Sequence, residues 1–122
     1  MGFVVMTAQQ VPEQTITIST DFTPTPGGRF RANGENSGEE FRDSILIPAL
    51  EHSKHITVYL DGAVGYAGSF LEEAFGGLVR TKKFSYEDLL KRMTVASRDA
   101  RYSIYQRMVE KYMRGAADNT QQ

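Results

Sequence analysis

Three short β-branched runs, each followed by an apolar stripe at helical spacing, constrain this chain more than any other feature. "TITIST" (Thr15–Thr20) alternates, and "MTVAS" (Met93–Ser97) is short and β-branched. Between them, "HITVYLDG" (His55–Gly62) is almost continuously apolar. An unbroken apolar run of that length fits a central strand buried on both faces. The order strand, helix, strand, helix, strand, helix predicts an α/β sandwich. Its core is a small, mostly parallel sheet of about four strands, with helices as the crossovers.

The domain is expected over residues 15–114. Residues 1–14 form an N-terminal segment that could hold a further short strand, and 115–122 form a flexible tail. "DFTPTPGGRFRANGENSG" is rich in Pro, Gly and Asn and reads as a loop, with "GRFR" as a short extended piece inside it. Ser37 precedes Glu40 by three residues, the capping-box spacing, and opens a predicted helix over Gly38–His52. Phe41, Ile45 and Ala49 give its apolar stripe. Pro48 deletes the bond to the Ser44 carbonyl, so a kink or an early end is expected. Ser69 with Glu72, and Ser85 with Asp88, repeat the capping spacing ahead of helices over Ser69–Val79 and "LLKR". Gly76 and Gly77 cost about 1 kcal/mol each relative to Ala in a helix. Close packing on the sheet or an early helix end would account for them. The last helix, over Asp99–Arg114, places Ile104, Tyr105, Met108, Val109, Tyr112 and Met113 in i, i+3, i+4 register.

Charge excludes little but is unevenly placed. The net charge is −1, with 14 Lys and Arg against 15 Asp and Glu. Residues 1–79 carry four of the cations and ten of the carboxylates, while residues 80–117 carry ten cations and four carboxylates. A basic half could meet nucleic acid or an acidic partner, but solvated helix faces account for it as well. With no cysteine, disulfides, thiolate metal sites and Cys nucleophiles are excluded. No apolar run approaches the roughly 18 residues of a membrane span. The opening "MGFVVMTAQQ" lacks the basic n-region of a secretory signal, and Met6 spoils a myristoylation motif at Gly2. A cytoplasmic protein is the expectation.

Candidate chemistry is sparse. Gly27 and Gly28 beside Arg29 and Arg31 offer an anion cradle of backbone donors and guanidiniums, without the Lys-Ser/Thr ending of a P-loop. Glu51, His52 and His55 have metal-ligating side chains near one turn, although two solvated turn histidines are the preferred reading. Asp61 is the only acid set at a strand end by pattern. No nucleophile, base and orienter set is evident; a site built from His55, Asp61 and Ser69 is conceivable but not the expectation, and no catalysis, cofactor or metal is expected.

"LDGAVGYAGSFLEEAFGGLV" resembles the core of STAS domains, named for sulphate transporters and anti-sigma factor antagonists. Together with "GGRFRANGENSGEEFRDSILIPALE", it is more closely similar to a STAS-like family of unknown function. The hallmark of that family is a Ser-Phe-x-x-Glu-x-Phe-Gly helix start, here Ser69, Phe70, Glu73, Phe75 and Gly76. The resemblance implies a protein-interaction module in a regulatory switch. Its partner would be a histidine-kinase-like ATPase that phosphorylates the motif serine, here Ser69. The implied binding edge is Asp61, Gly65, Tyr66, Gly68, Ser69, Phe70, Glu72 and Glu73. Gly68 stands where the anti-sigma antagonists have Asp, Phe70 where they have a second Ser, and Leu71 where they have Gly. Ser69 is also explained by helix capping alone. A nucleic-acid-binding or defence-associated accessory protein and a small anion- or nucleotide-binding domain are the competing readings. The rings of Tyr102, Tyr105 and Tyr112 hint at a homodimer.

Overall fold

The structure is a computed structural model that describes residues 10–81 and 83–120. Three strands, β1 (Val11–Thr17), β2 (Ser53–Tyr59) and β3 (Met93–Ala96), form one parallel sheet in the order β1-β2-β3. The all-parallel α/β arrangement is as expected, but the described residues supply three strands rather than about four. "GRFR" forms no strand, although Phe30 within it is extended. It leads into a 3₁₀ turn at Arg31–Asn33. Any strand over residues 1–9 lies outside the described residues. "TITIST" is strand only as far as Thr17, because Ile18–Asp21 turns into a single helical turn, α1.

Ile56, Val58 and Leu60 alternate inward and are fully buried, whereas His55, Thr57 and Tyr59 are only partly covered. The central strand is therefore buried on one face, and all the long helices pack there. Its apolar look comes from β-branched Thr and aromatic Tyr, which suit a pleated surface even when half exposed.

Helix α2 runs over 38–52 as α-helix Gly38–Phe41, a π-helical turn Arg42–Leu46 and α-helix Ile47–His52. The π turn absorbs Pro48. Ile47 N–H donates to the Arg42 carbonyl one residue further back than in an α-helix, and the chain passes the proline without ending. Helix α3 runs over 68–80 with the same construction: Gly68–Leu71, a π turn Glu72–Gly76, and Gly77–Arg80. A short α4 (Tyr86–Arg92) precedes β3. A 3₁₀ turn (Ala100–Tyr102) then leads into α5 (Ser103–Thr120). The last helix thus continues through the segment expected as a flexible tail. Ala116 and Ala117 are buried there and hold it down.

Helix α3 lies in the middle of the helix layer, with α2 on one side and α5 on the other. This crowding explains its glycines, which neither end the helix nor touch the sheet. A methyl on Gly76 would meet the Glu72 carboxylate at 2.8 Å and lie 3.4 Å from the Tyr112 carbonyl of α5, and one on Gly77 would meet the Arg42 guanidinium of α2. On α2, a methyl on Gly38 would collide with the Phe70 carbonyl. The three helices approach through small residues from both sides. Between them Phe22, Phe41, Phe70 and Phe75 form a continuous ring cluster, with centroid separations of 5.1–6.4 Å.

Candidate functional site

The loop between β2 and α3 stands at the carboxyl end of the sheet, where α/β folds gather their ligands. Much of it is tied down by hydrogen bonds. Asp61 accepts from the backbone N–H of Arg98 at 3.0 Å and of Asp99 at 2.8 Å, and its own carbonyl accepts from Ser19 Oγ at 2.8 Å. Gly62 turns with φ +93°, a conformation that L side chains rarely adopt, and lies against Ser19. Tyr102 OH donates to the Ala63 carbonyl at 2.7 Å, and Val64 N–H to the Pro24 carbonyl at 2.9 Å. Tyr66 OH donates to the Leu60 carbonyl at 2.8 Å, and burial pushes its hydroxyl pKa up. This rigid loop displays Val64 at 82% exposure. Beside it a shallow cleft of about 200 Å³ is lined by Ala63, Gly65, Arg101, Tyr102 and Tyr105.

The hallmark residues divide sharply. Phe70 and Phe75 are fully buried in the ring cluster, so neither presents a side chain to a partner. Glu73 is buried as well. It accepts from Arg42 at 2.5 Å, with Arg29 at 3.3 Å and Arg80 at 3.1 Å on its other oxygen. Glu72 lies between Arg29 and Arg80. Burial pushes the Glu72 carboxyl up, but the hydrogen bonds and charges of Arg80 and Arg29 outweigh it and hold the pKa below the ordinary 4.5. Its stabilisation is therefore fully present above that value and is lost as the pH falls through the lower, folded one. The thermal midpoint is expected to be flat from neutral pH down to about pH 5 and to fall in more acid solution. Glu72→Gln should flatten part of that acid limb, as followed by circular dichroism.

Ser69 is not a helix cap. The N-cap is Ala67, whose carbonyl accepts from Phe70 N–H and Leu71 N–H, and no side chain caps the turn. Glu72 turns to the arginines instead of reaching back. Gly68 starts the helix because its missing side chain lets the Tyr112 hydroxyl approach, so packing sets this end and capping does not. The Ser69 hydroxyl is half-buried and makes no hydrogen bond among the described residues. By contrast Ser37 accepts from Glu40 N–H and Ser85 from Asp88 N–H, each at 3.0 Å, as the spacing predicts.

The anion cradle is not assembled. Arg29 is held by Glu72 and Glu73, whereas Arg31 donates to Ser44 Oγ. Gly27 N–H is taken by the Asn36 carbonyl, and Gly28 contributes its own carbonyl to Gly38 N–H. The two histidines also separate, His52 to the Pro48 carbonyl and His55 to Thr94 and Glu13. Among the described residues no group of three His, Asp or Glu could hold a metal ion. No helix among them is long and apolar enough to cross a membrane. Tyr102, Tyr105 and Tyr112 make contacts within the chain, on the β2–α3 loop and on Gly68, and each stays partly exposed. Arg42, Arg80 and Val64 carry none of these sequence motifs, yet they complete the charge cluster and the loop tip.

No curated protein and no solved structure matches the chain. The profile of the STAS-like domain of unknown function (DUF4325) matches residues 37–100, from the α2 cap through the β2–α3 loop and hallmark helix to the loop after β3. The chain belongs to that STAS-like family.

Proposed function

We propose that the protein is a non-catalytic interaction module in a regulatory switch. It binds a protein partner through the β2–α3 loop and the start of α3, and Ser69 phosphorylation gates that binding. A histidine-kinase-like ATPase is the partner that the STAS resemblance implies. The observation that carries the reading is Ser69 itself, a half-exposed hydroxyl in the first turn of a helix with no structural task. Free N–H groups and the positive end of the helix dipole favour a phosphate there. The neighbouring carboxylates, which would otherwise repel it, are matched by three arginines. Phe70 and Glu73 support this surface from beneath. Val64 is its exposed part, with Gly65 and Ser69 half-exposed beside it.

Two measurements test it. Ser69→Ala is expected to change stability by less than about 0.5 kcal/mol, as for a surface position. Ser37→Ala, which removes a cap, should cost about 1 kcal/mol in the same urea titration. Affinity capture of the full chain from its own cells, with phosphosite mapping, should then recover a kinase-like ATPase and phosphate on Ser69. An unmodified Ser69, together with a Ser69→Asp variant that captures an unchanged set of proteins, would overturn the gating.

A further inference from the structure

The charge asymmetry of the sequence is untouched by the site above, and the fold gives it a direction. Asp61 and the central cluster of Arg29, Arg42, Arg80, Glu72 and Glu73 are three cations and three carboxylates, so together they cancel. What remains is seven carboxylates against two cations before Arg80, and nine cations against five carboxylates after it. Part of this remainder is gathered on the two lateral edges of the sandwich, while Arg92, Arg98 and Arg101 are held at the strand ends and loops between them. One edge is β1 with α2, whose Glu13, Glu39, Glu40, Asp43 and Glu51 outnumber the two cations that reach it, Arg31 at Ser44 and Lys83 at 4.0 Å from Glu51, Arg42 being already committed to Glu73. The other is β3 with α5, whose solvent ridge of Arg107, Lys111 and Arg114 has no ion-pair or hydrogen-bond partner among the described residues. Glu110 and Asp118 share that helix and leave it net positive.

Both edges are also shaped to receive something. Among the described residues β1 and β3 are the outer strands, each unpaired on one side. A groove of about 280 Å³ separates β1 from α2, lined by Gln14, Ile45, Pro48 and His52. A groove of about 380 Å³ lies between β3, α4 and α5, floored by Leu89, Met93, Val109 and Met113, with Leu90 standing 62% exposed at its margin.

We propose that the chain associates head to tail with further copies of itself, the basic β3–α5 edge of one copy meeting the acidic β1–α2 edge of the next. A two-fold pairing through either edge would set like charge against like. The opposite edges are complementary, which is the condition for a heterologous contact, and such a contact continues into a ring or an open array. Attraction between the edges steers the copies into register, and the strand edges and grooves supply the short-range contact.

Sedimentation velocity of the full chain over a concentration series tests this. The expected result is a weight-average mass that rises above the 13.7 kDa of one chain without stopping at two copies. It should fall back when salt is raised from about 0.05 M to 0.5 M, as screening shortens the reach of the edge charges. Reversing the basic edge (Arg107→Glu with Lys111→Glu) or the acidic edge (Glu39→Lys with Glu51→Lys) should abolish self-association. Mixing the two reversed variants should restore it, because each now offers the edge the other lacks. Arg107, Lys111 and Glu51 are exposed and Glu39 is half-buried, and circular dichroism checks that the variants fold. A monomer at every concentration, or a dimer indifferent to salt, overturns the proposal. So does a monomer that retains an oligonucleotide through Arg107 and Lys111, which would make the basic edge a nucleic-acid surface.

Discussion

Replacing Glu73 with Ala is expected to destabilise the protein by about 3–5 kcal/mol, the usual cost of removing one partner of a buried ion pair. Arg42 would keep the Glu73 backbone carbonyl at 3.2 Å and the half-exposed Asp43 at 2.9 Å, but it would lose the carboxylate that compensates its charge inside the helix layer. Both side chains are about 10% exposed or less, so solvent screens little of this. Native domains are stable by about 5–15 kcal/mol, and the loss would take a large share of that. Urea unfolding followed by circular dichroism should show a lower midpoint with an unchanged slope. Replacing the pair together (Arg42→Met with Glu73→Met) should recover most of the loss, since an apolar pair strands no charge. A single-variant cost under about 1 kcal/mol would place the pair among screened surface bridges and remove it as the reason for a Glu in the hallmark.

Why the hallmark has its composition was only half legible in the sequence. The stripe of Phe41, Ile45 and Ala49 and the strand–helix alternation located every long element, because burial on one face forces a period on the residues. Arg42 interrupts an apolar stripe and Glu73 sits in a run of small and aromatic residues. Each looks like a solvated charge alone, and their pairing across 31 positions leaves no local signal. The glycines of α3 were readable as close-approach positions, but their neighbours turned out to be α2 and α5. Ser69 was misassigned for a related reason. A capping box is a local preference of about 1 kcal/mol. Packing of Gly68 against Tyr112 started the helix before Ser69, and the arginines drew Glu72 away. Local rules held at Ser37 and Ser85, where no tertiary demand competed.

The same separation of core from surface decides what a variant at Phe70 means. Phe70→Ala is expected to cost about 3–5 kcal/mol, the range for emptying a buried aromatic site. Its ring is fully buried among Phe22, Phe41 and Tyr66, at centroid distances of 5.9–6.4 Å, and relaxation is limited because Gly38 already abuts its carbonyl. Phe70→Leu refills much of the volume and should cost less, about 1.5 kcal/mol. If Phe70 contacted a partner directly, both variants would lose binding while the fold kept its stability. If the chain binds a partner as proposed, the reverse order is expected. Phe70→Leu that remains folded should still capture the partner of wild type, whereas Val64→Ala, at the exposed loop tip, should stay within about 0.5 kcal/mol of wild-type stability. Val64→Ala should nevertheless weaken that capture. Measured side by side by thermal unfolding and by affinity capture, a Val64 variant that binds normally and a stable Phe70 variant that does not would move the docking surface off the loop.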